Sequence, residues 1–184
     1  MPYNAVKWHE VVQSGATEER LPTAHSVGSP AQHRRRAKGI RLVFTGEYRH
    51  TVDDKGRIAV PAKFRAQLAE GAFVSRWLDA CLAIHTRAGW EALAERVAGL
   101  PITDQGSRLF QRFIFAGAIE AEVDRQGRIL VPAYLRESAG LDGDAVVVGS
   151  RDHAEIWAPR RWDDYRRALD DPQSLAKALE GLGI

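Results

Sequence analysis

The amino-acid sequence predicts a mixed α+β fold that is rich in β-strands and contains two copies of one small unit. An internal repeat carries the strands, and apolar residues spaced three and four positions apart predict helices around it. The chain has 184 residues, of which 45% are hydrophobic, and such a content is typical of a protein with a packed core.

The repeat aligns FTGEYRHTVDDKGRIAVPAKFR (residues 44–65) with FAGAIEAEVDRQGRILVPAYLR (residues 115–136) at an offset of 71 and without gaps. Eleven of the 22 aligned positions are identical. The similarity resumes at an offset of 72, where Ile84 matches Ile156 and Trp90 matches Trp162. We interpret the repeat as a duplication, whose two halves are expected to pack around a pseudo-twofold axis.

Each copy is predicted to run strand, tight turn, strand and short helix. In the first copy, residues 47–52 alternate in character as a half-buried strand does. Residues 53–56 form a turn, because an Asp side chain can accept from the backbone that follows it and Gly tolerates a positive φ. Residues 57–60 return as a strand, and Pro61 suits the first position of a helix with Phe64 and Leu68 on one side.

Three longer helices are predicted outside the repeats. The first covers residues 89–97, the second follows a capping Asp104 and continues through Ile114, and the third covers residues 159–169. A short apolar strand is expected before the first and the third of these helices, each of which begins near a tryptophan. Residues 172–184 form a weaker amphipathic segment.

The resulting organisation has five parts. They are an N-terminal extension (1–43), a first repeat domain (47–90), a helical connector (91–114), a second repeat domain (118–162) and a C-terminal helix and tail (163–184). The extension has little periodic apolar pattern and contains Arg34–Arg36, so we expect it to be flexible. An alternative hypothesis is that Val43 is the true start of the protein.

Composition and motifs argue against several classes of function. No apolar run has the length of a membrane span or a signal peptide, and Cys81 is the only cysteine, which excludes an internal disulfide. We therefore expect a cytoplasmic protein. No metal-ligand spacing and no catalytic constellation is evident, so neither an enzyme nor a cofactor nor a small-molecule substrate is predicted. Arginine supplies 21 of the 26 basic residues, which permits nucleic-acid binding, although the net charge is only +2.

The two turns carry the candidate site. Each has the pattern Asp-x-x-Gly-Arg, and a stiff loop with cations at its tip can enter a DNA groove or contact phosphates. The expected DNA-binding residues are Arg49, Asp53, Lys55, Arg57, Asp124, Arg125 and Arg128, and the turn-forming residues are Gly56 and Gly127. The aspartates are expected to cap the turns or orient the arginines, because a carboxylate repels phosphate. The alternative is an ordinary β-turn with a surface ion pair.

These paired motifs and the helices between them resemble the MraZ family, bacterial transcriptional regulators with two AbrB-like domains. The resemblance covers about residues 43–165 and implies a swapped-hairpin β-barrel made from both halves, assembly of chains into a ring, and association with the nucleoid. It also implies binding to repeated short sites in promoters. These are the promoter of the protein's own gene and that of the division and cell-wall gene cluster. The family's DNA-binding residues would be Asp53, Arg57, Asp124 and Arg128. Lys55 in the first turn is replaced by Gln126 in the second, which suggests unequal contributions.

Two other functions fit the same pattern. One is an AbrB-like antitoxin that binds a toxin protein, although such antitoxins usually resemble one copy followed by a disordered tail. The other is a ring-forming scaffold protein that does not bind DNA. A small β-barrel enzyme is a weaker alternative, since an acid–base pair is lacking.

Overall fold

The computed structural model describes residues 43–180. The arginine run at residues 34–36, the predicted flexible extension before residue 43 and the last four residues of the tail lie outside the described residues. The described chain contains helices and antiparallel strands, which confirms the mixed α+β class.

The described part of the chain forms eight strands, six α-helices and two short 3₁₀ helices (Ala66–Leu68 and Leu78–Ala80). The strands are β1 (Glu47–Thr51), β2 (Arg57–Ala59), β3 (Ala72–Arg76), β4 (Leu82–Thr86), β5 (Ile119–Ala121), β6 (Arg128–Leu130), β7 (Asp144–Ser150) and β8 (His153–Trp157). The helices are α1 (Ala62–Arg65), α2 (Arg87–Ala98), α3 (Gln105–Phe115), α4 (Ala133–Ala139), α5 (Pro159–Asp170) and α6 (Pro172–Leu179). The helices predicted around Trp90, after Asp104 and around Trp162 therefore form as α2, α3 and α5.

The strands of the two copies interleave. Six strands form one sheet in the order β1-β7-β8-β4-β3-β5, and β2 pairs with β6 in a separate two-stranded ladder. All of these pairs are antiparallel. Within the first copy, β1 and β2 share only the bridge between Val52 and Ile58. The simple hairpin expected around the first turn is therefore replaced by pairing with the other copy, β1 with β7 and β2 with β6.

Equivalent residues of the two copies face each other across a pseudo-twofold axis. Ile58 lies opposite Ile129 in the β2–β6 ladder, and these residues are 71 positions apart as the repeat requires. Ala83 lies opposite Glu155 in the β4–β8 pair, at the offset of 72. The same rotation thus relates the copies in both sheets.

One hydrophobic core joins the two sheets. Ile58 and Ile129 of the ladder are at most 1% exposed, and they belong to the same cluster as Ile84 and Ile156 of the larger sheet. The short helices contribute further equivalent pairs to that cluster, Phe64 with Leu135 and Leu68 with Ala139. Because each copy supplies half of this core, neither copy can bury its apolar face alone.

The other face of the larger sheet is covered by helices. Helix α5 packs Trp162 against Trp157 and Val146, in a cluster that also contains Cys81. Cys81 is 2% exposed, as expected for a structural thiol, and its burial raises the pKa of that thiol. Helices α2 and α3 place Leu93 and other apolar residues over the neighbouring part of the sheet.

Two strands, β3 and β7, were not predicted from the sequence. Strand β7 reads DAVVVGS and is buried on both faces, since Val147 joins the inner core and Val146 packs under α5. A strand covered on both sides lacks the alternation that marks a half-buried strand. Among residues 43–180, the helices are all too short and too polar to traverse a lipid bilayer.

Candidate nucleic-acid interface

The first turn is closed by the side chain of Asp53. Its Oδ1 accepts hydrogen bonds from the backbone N–H groups of Lys55 (3.0 Å) and Arg57 (2.9 Å). The backbone N–H of Gly56 donates to the carbonyl of Asp53 at 2.7 Å, and Gly56 has a φ of 78°. The turn is therefore fixed by a carboxylate and by a backbone conformation that favours glycine.

The second turn reproduces this geometry. Oδ1 of Asp124 accepts from the backbone N–H groups of Gln126 and Arg128, both at 2.9 Å, and Gly127 has a φ of 77°. In each turn the backbone N–H of the arginine, helped by its guanidinium, lowers the pKa of the aspartate, although partial burial opposes the shift. Both aspartates are consequently ionised at neutral pH.

The β2–β6 ladder holds the two turns side by side. The backbone N–H of Val131 donates to the carbonyl of Gly56 at 2.9 Å, and that of Val60 donates to the carbonyl of Gly127 at 2.8 Å. Each turn glycine is thus hydrogen-bonded to the strand end of the other copy. The two Asp-x-x-Gly-Arg turns form one rigid element, which we call the paired turns (residues 53–57 and 124–128).

The two arginines of the paired turns are bound differently. Arg57 donates through Nε to Oδ2 of Asp53 at 2.7 Å, and its two terminal nitrogens have no partner among residues 43–180. Arg128 donates through Nε and Nη2 to Oδ2 of Asp124, at 3.0 and 2.9 Å, and its Nη1 lies 3.4 Å from Oδ2 of Asp53. Nη2 of Arg128 also donates to the amide oxygen of Gln126.

The residue at the third turn position contributes to this difference. Gln126 offers an acceptor to Arg128, whereas the equivalent Lys55 has only donors. The side chains of Arg57 and Arg128 are 31% and 25% exposed, so both are half-buried but reach the surface. Within residues 43–180, Arg57 therefore has two donor nitrogens without a partner, whereas all three guanidinium nitrogens of Arg128 donate to neighbouring side chains.

The remaining predicted residues divide into two groups. Lys55 and Arg125 are exposed at the tips of the paired turns. Arg49 lies on β1 and pairs with Asp163 of α5 at 2.6 Å, on the face of the strand that α5 covers. Its ion pairs are thus with that helix and with Glu47, and the structure does not join it to either turn.

Two further arginines of this region were missed by sequence reasoning. Nε of Arg65 donates to the carbonyl of Val60 at 2.9 Å, and Nε of the equivalent Arg136 donates to the carbonyl of Val131 at 3.1 Å. Each side chain lies against the turn glycine of the other copy. A Cβ atom on Gly127 would overlap Cζ of Arg65, and one on Gly56 would stand 2.9 Å from Nε of Arg136.

A signal for these arginines was present, because both are identical in the aligned repeats. With them, the region of the paired turns has an excess of positive charge. Its six cations are Lys55, Arg57, Arg65, Arg125, Arg128 and Arg136, and its three carboxylates are Asp53, Asp54 and Asp124. The difference, six minus three, is a local charge of +3, which attracts a polyanion.

Residues 43–180 contain no group of three or more His, Cys, Asp or Glu side chains placed to hold a metal ion. The aspartates of the paired turns are occupied by backbone N–H groups and guanidinium groups, as given above.

Comparisons with known proteins identify the family. The sequence model described as "MraZ protein, putative antitoxin-like" matches the chain twice, at residues 43–113 and 114–181, which confirms the repeat. The chain is 50% identical over 133 residues to the transcriptional regulator MraZ of Roseiflexus castenholzii, covering 72% of this chain and 93% of that protein. It is 48% identical over 143 residues to the protein of the same name from Desulfitobacterium hafniense strain Y51, covering 77% of this chain and all of that protein. A third relative with that name, from Moorella thermoacetica, is 45% identical over 143 residues, with the same coverage. The chain therefore belongs to the MraZ family.

Proposed function

We propose that this protein is a transcription regulator that binds specific DNA sequences through its paired turns. One observation carries the proposal: the β2–β6 ladder holds two Asp-capped, arginine-bearing turns next to each other as one rigid element. The names of the relatives, transcriptional regulators, support the same function. No catalytic activity is part of the proposal.

The chemistry of the paired turns suits a nucleic acid. The terminal nitrogens of Arg57, which have no partner among residues 43–180, form a planar fork that matches a phosphate or the O6 and N7 edge of guanine. Asp53 and Asp124 do not contact DNA in this proposal; they fix the turns and orient the arginines. Lys55, Arg125 and the two arginines behind the turns add contacts to phosphates, which strengthen binding without selecting a sequence.

The proposed targets are repeated short sites in a promoter. They include the promoter of the protein's own gene and that of the division and cell-wall gene cluster, and the protein would act in the cytoplasm at the nucleoid. Assembly of several chains into a ring would present many paired turns at fixed spacing. Such multivalent binding would make modest individual contacts tight in combination.

A swapped-hairpin barrel is the proposed framework for this surface. The interleaved strand order, in which β1 pairs with β7 and β5 pairs with β3, supports an exchange of hairpins between the copies. In this arrangement the paired turns lie on the pseudo-twofold axis, so that a partly symmetric DNA site matches both copies.

The decisive experiment measures DNA affinity of the full chain. A labelled duplex from upstream of its own gene is compared by fluorescence anisotropy with a shuffled duplex of equal composition, at two salt concentrations. Arg57→Ala and Arg128→Ala are each expected to weaken specific binding by about 1–3 kcal/mol, because each removes one arginine from the DNA site. As the matched control, Arg112→Ala and Arg160→Ala remove exposed arginines from α3 and α5.

The outcomes separate the components of the proposal. A double variant of Arg57 and Arg128 that binds as the unchanged protein does would remove both residues from the DNA site. Equal affinity for the upstream and shuffled duplexes would exclude a sequence-specific regulator. Absence of salt-dependent binding would favour a scaffold protein that does not bind DNA.

An antitoxin is the second candidate, because the description of the matching family contains the words "antitoxin-like". In that case the surface of the paired turns would bind a toxin protein. Purification of the tagged chain from its native cells distinguishes the two functions. Recovery of a small protein in stoichiometric amount would support the antitoxin, provided that substitutions on the surface of this chain release that protein.

A further inference from the structure

A cavity of about 380 Å³ lies between helices α2 and α3 and the outer face of the larger sheet, away from the paired turns. Its apolar wall comes from the helices and the segment between them, through Leu93, Val97, Leu100 and Phe110. Trp77 closes another side, and His85 of β4 lines the sheet side of the cavity. The volume falls at the lower end of the roughly 300–1,000 Å³ found for small-molecule sites.

His85 is a buried polar residue with an unused ring nitrogen. It is 4% exposed, and its Nε2 has no hydrogen-bond partner among residues 43–180. Aromatic rings surround it: the centroids of Trp77, Trp90 and His153 lie 5.3, 5.9 and 5.2 Å from its own. A polar atom that is desolvated and unpaired in the folded chain gains free energy when a partner reaches it.

The neighbouring His153 is different, because both of its ring nitrogens are occupied. Nδ1 lies 2.9 Å from the carboxylate of Asp152, and Nε2 lies 3.2 Å from that of Glu155. Burial, the charge of His153 and that of Arg96 lower the pKa of His85 to about 4, although Asp152 opposes the shift. His85 is thus neutral at pH 7, and one of its nitrogens carries a proton that can be donated.

Arg96 supplies a charge to the same cavity. It lines the cavity from α2, it is exposed, and it forms no ion pair or hydrogen bond through its side chain with another residue of 43–180. An unpaired guanidinium beside an apolar wall attracts an anion whose remainder is apolar. Asp152, the carboxylate at this site, is already bonded to His153.

We propose that this cavity binds a small aromatic carboxylate. The ring lies against the apolar wall formed by Leu93, Val97 and Phe110, and the carboxylate pairs with Arg96 and accepts from Nε2 of His85. This ligand site goes beyond the proposed DNA binding and does not depend on it, because the paired turns contribute no residue to it.

The test uses 2-naphthoate as the probe and the full chain labelled with ¹³C in the methyl groups of Leu and Val. During titration, the methyl resonances of Leu93, Val97 and Leu100 are expected to shift and saturate, while those of Leu135 in the inner core stay in place. Arg96→Gln is expected to weaken binding about fivefold or more, because a charge-assisted hydrogen bond is removed. Arg112→Gln, on α3 but outside the cavity, is the matched control.

Three comparisons protect the conclusion from loss of folding or from non-specific binding. The methyl spectrum of Arg96→Gln without the probe must match that of the unchanged protein. His85→Phe is a second variant, which keeps an aromatic ring but removes the Nε2 donor and is therefore also expected to weaken binding. The uncharged 2-naphthamide is expected to bind more weakly than the carboxylate.

Three results of the titration would overturn the proposal. They are no saturable shift at the three methyl groups, equal affinity for carboxylate and amide, and unchanged affinity in Arg96→Gln. Shifts of the same methyl groups with protein concentration, in the absence of probe, would overturn it too, because they would show that a second copy of the chain covers the cavity.

Discussion

Nη1 of Arg128 lies 3.4 Å from Oδ2 of Asp53, so a guanidinium of the second copy reaches the carboxylate that closes the turn of the first. Arg57 makes no equivalent contact with Asp124 among the hydrogen bonds of residues 43–180. The pseudo-twofold symmetry of the backbone is therefore broken in the side chains at the candidate site. Gln126 contributes to this asymmetry, since it accepts from Arg128 where Lys55 cannot accept from Arg57.

Gln126→Lys is expected to strengthen DNA binding. The substitution removes the acceptor that engages Arg128 and adds a cation at the tip of the second turn. Affinity should rise, and the slope of log affinity against log salt should steepen by about 1 if the new lysine contacts a phosphate. Anisotropy titrations at several salt concentrations measure both quantities. Gln173→Lys on α6 adds the same charge elsewhere and controls for net charge; an equal gain in that variant would contradict the local explanation.

Arg65→Gln combined with Arg136→Gln is expected to reduce affinity for all DNA sequences alike. Both arginines lie against the turn glycines and donate through Nε to a carbonyl, and we expect their terminal nitrogens to contact phosphates. The salt slope should become shallower by about 2, while the ratio of specific to shuffled DNA affinity stays constant. A change in that ratio, measured in the same titrations, would instead indicate that these residues read bases or position the turns.

Gly56→Ala is expected to destabilise the fold more than Gly143→Ala. Both glycines have a positive φ, 78° and 75°, so each substitution has a backbone cost of about 1 kcal/mol. Only at Gly56 would the new Cβ stand 2.9 Å from the carbonyl oxygen of Val131, whereas nothing lies within 4 Å at Gly143. The free energy of unfolding should fall by roughly 2–3 kcal/mol for Gly56→Ala. Urea denaturation of both variants measures the difference. Equal losses in the free energy of unfolding would show that the β2–β6 ladder accommodates the new Cβ atom without cost.

Acidification is expected to destabilise the protein through His85. Its folded pKa of about 4 lies below the unfolded value near 6.5, so the unfolded state binds the additional proton. The stability that depends on neutral His85 is complete above about pH 6.5 and is lost as the pH falls towards 4, to an extent of about 3 kcal/mol at most. His85→Phe should therefore show a weaker decline of the free energy of unfolding between these pH values.

His153 provides a control whose pKa is shifted in the opposite direction. Urea denaturation at several pH values measures the free energy of unfolding of both His85→Phe and His153→Gln. Burial lowers its pKa, but hydrogen bonds to Glu155 and Asp152 outweigh burial, so the net effect raises the pKa of His153. Its contribution to stability is complete below about pH 6.5 and is lost as the pH rises through the raised pKa. His153→Gln should thus remove a gain in stability as the pH falls from the raised pKa to about 6.5, and should leave the decline below pH 6.5 unchanged. Parallel curves for the unchanged protein and His85→Phe would show that another group controls the acid transition.

Much of the candidate site could be predicted from the repeat alone. The turn residues Asp53 and Gly56 follow from local chemistry, because an Asx turn and a positive φ need no distant partner. The partner of Arg49 could not be predicted from the repeat. Arg49 alternates with half-buried residues on β1, but its partner Asp163 is 114 positions away and lies next to it only because α5 packs over that strand.

The sequence by itself determined the duplication, the family, the closure of each turn and the helices around Trp90, Asp104 and Trp162, because these depend on neighbours along the chain. Only the tertiary structure decided which strands pair, where β3 and β7 lie, and how the two turns meet. The pairings β1–β7, β2–β6, β4–β8 and β3–β5 join residues 45 to 101 positions apart, such as Val74 with Ile119 and Ile58 with Ile129, and they depend on burial of a shared core. Local pattern does not encode such contacts, since a strand buried on both faces has no alternation and a duplicated strand has two equally suitable partners.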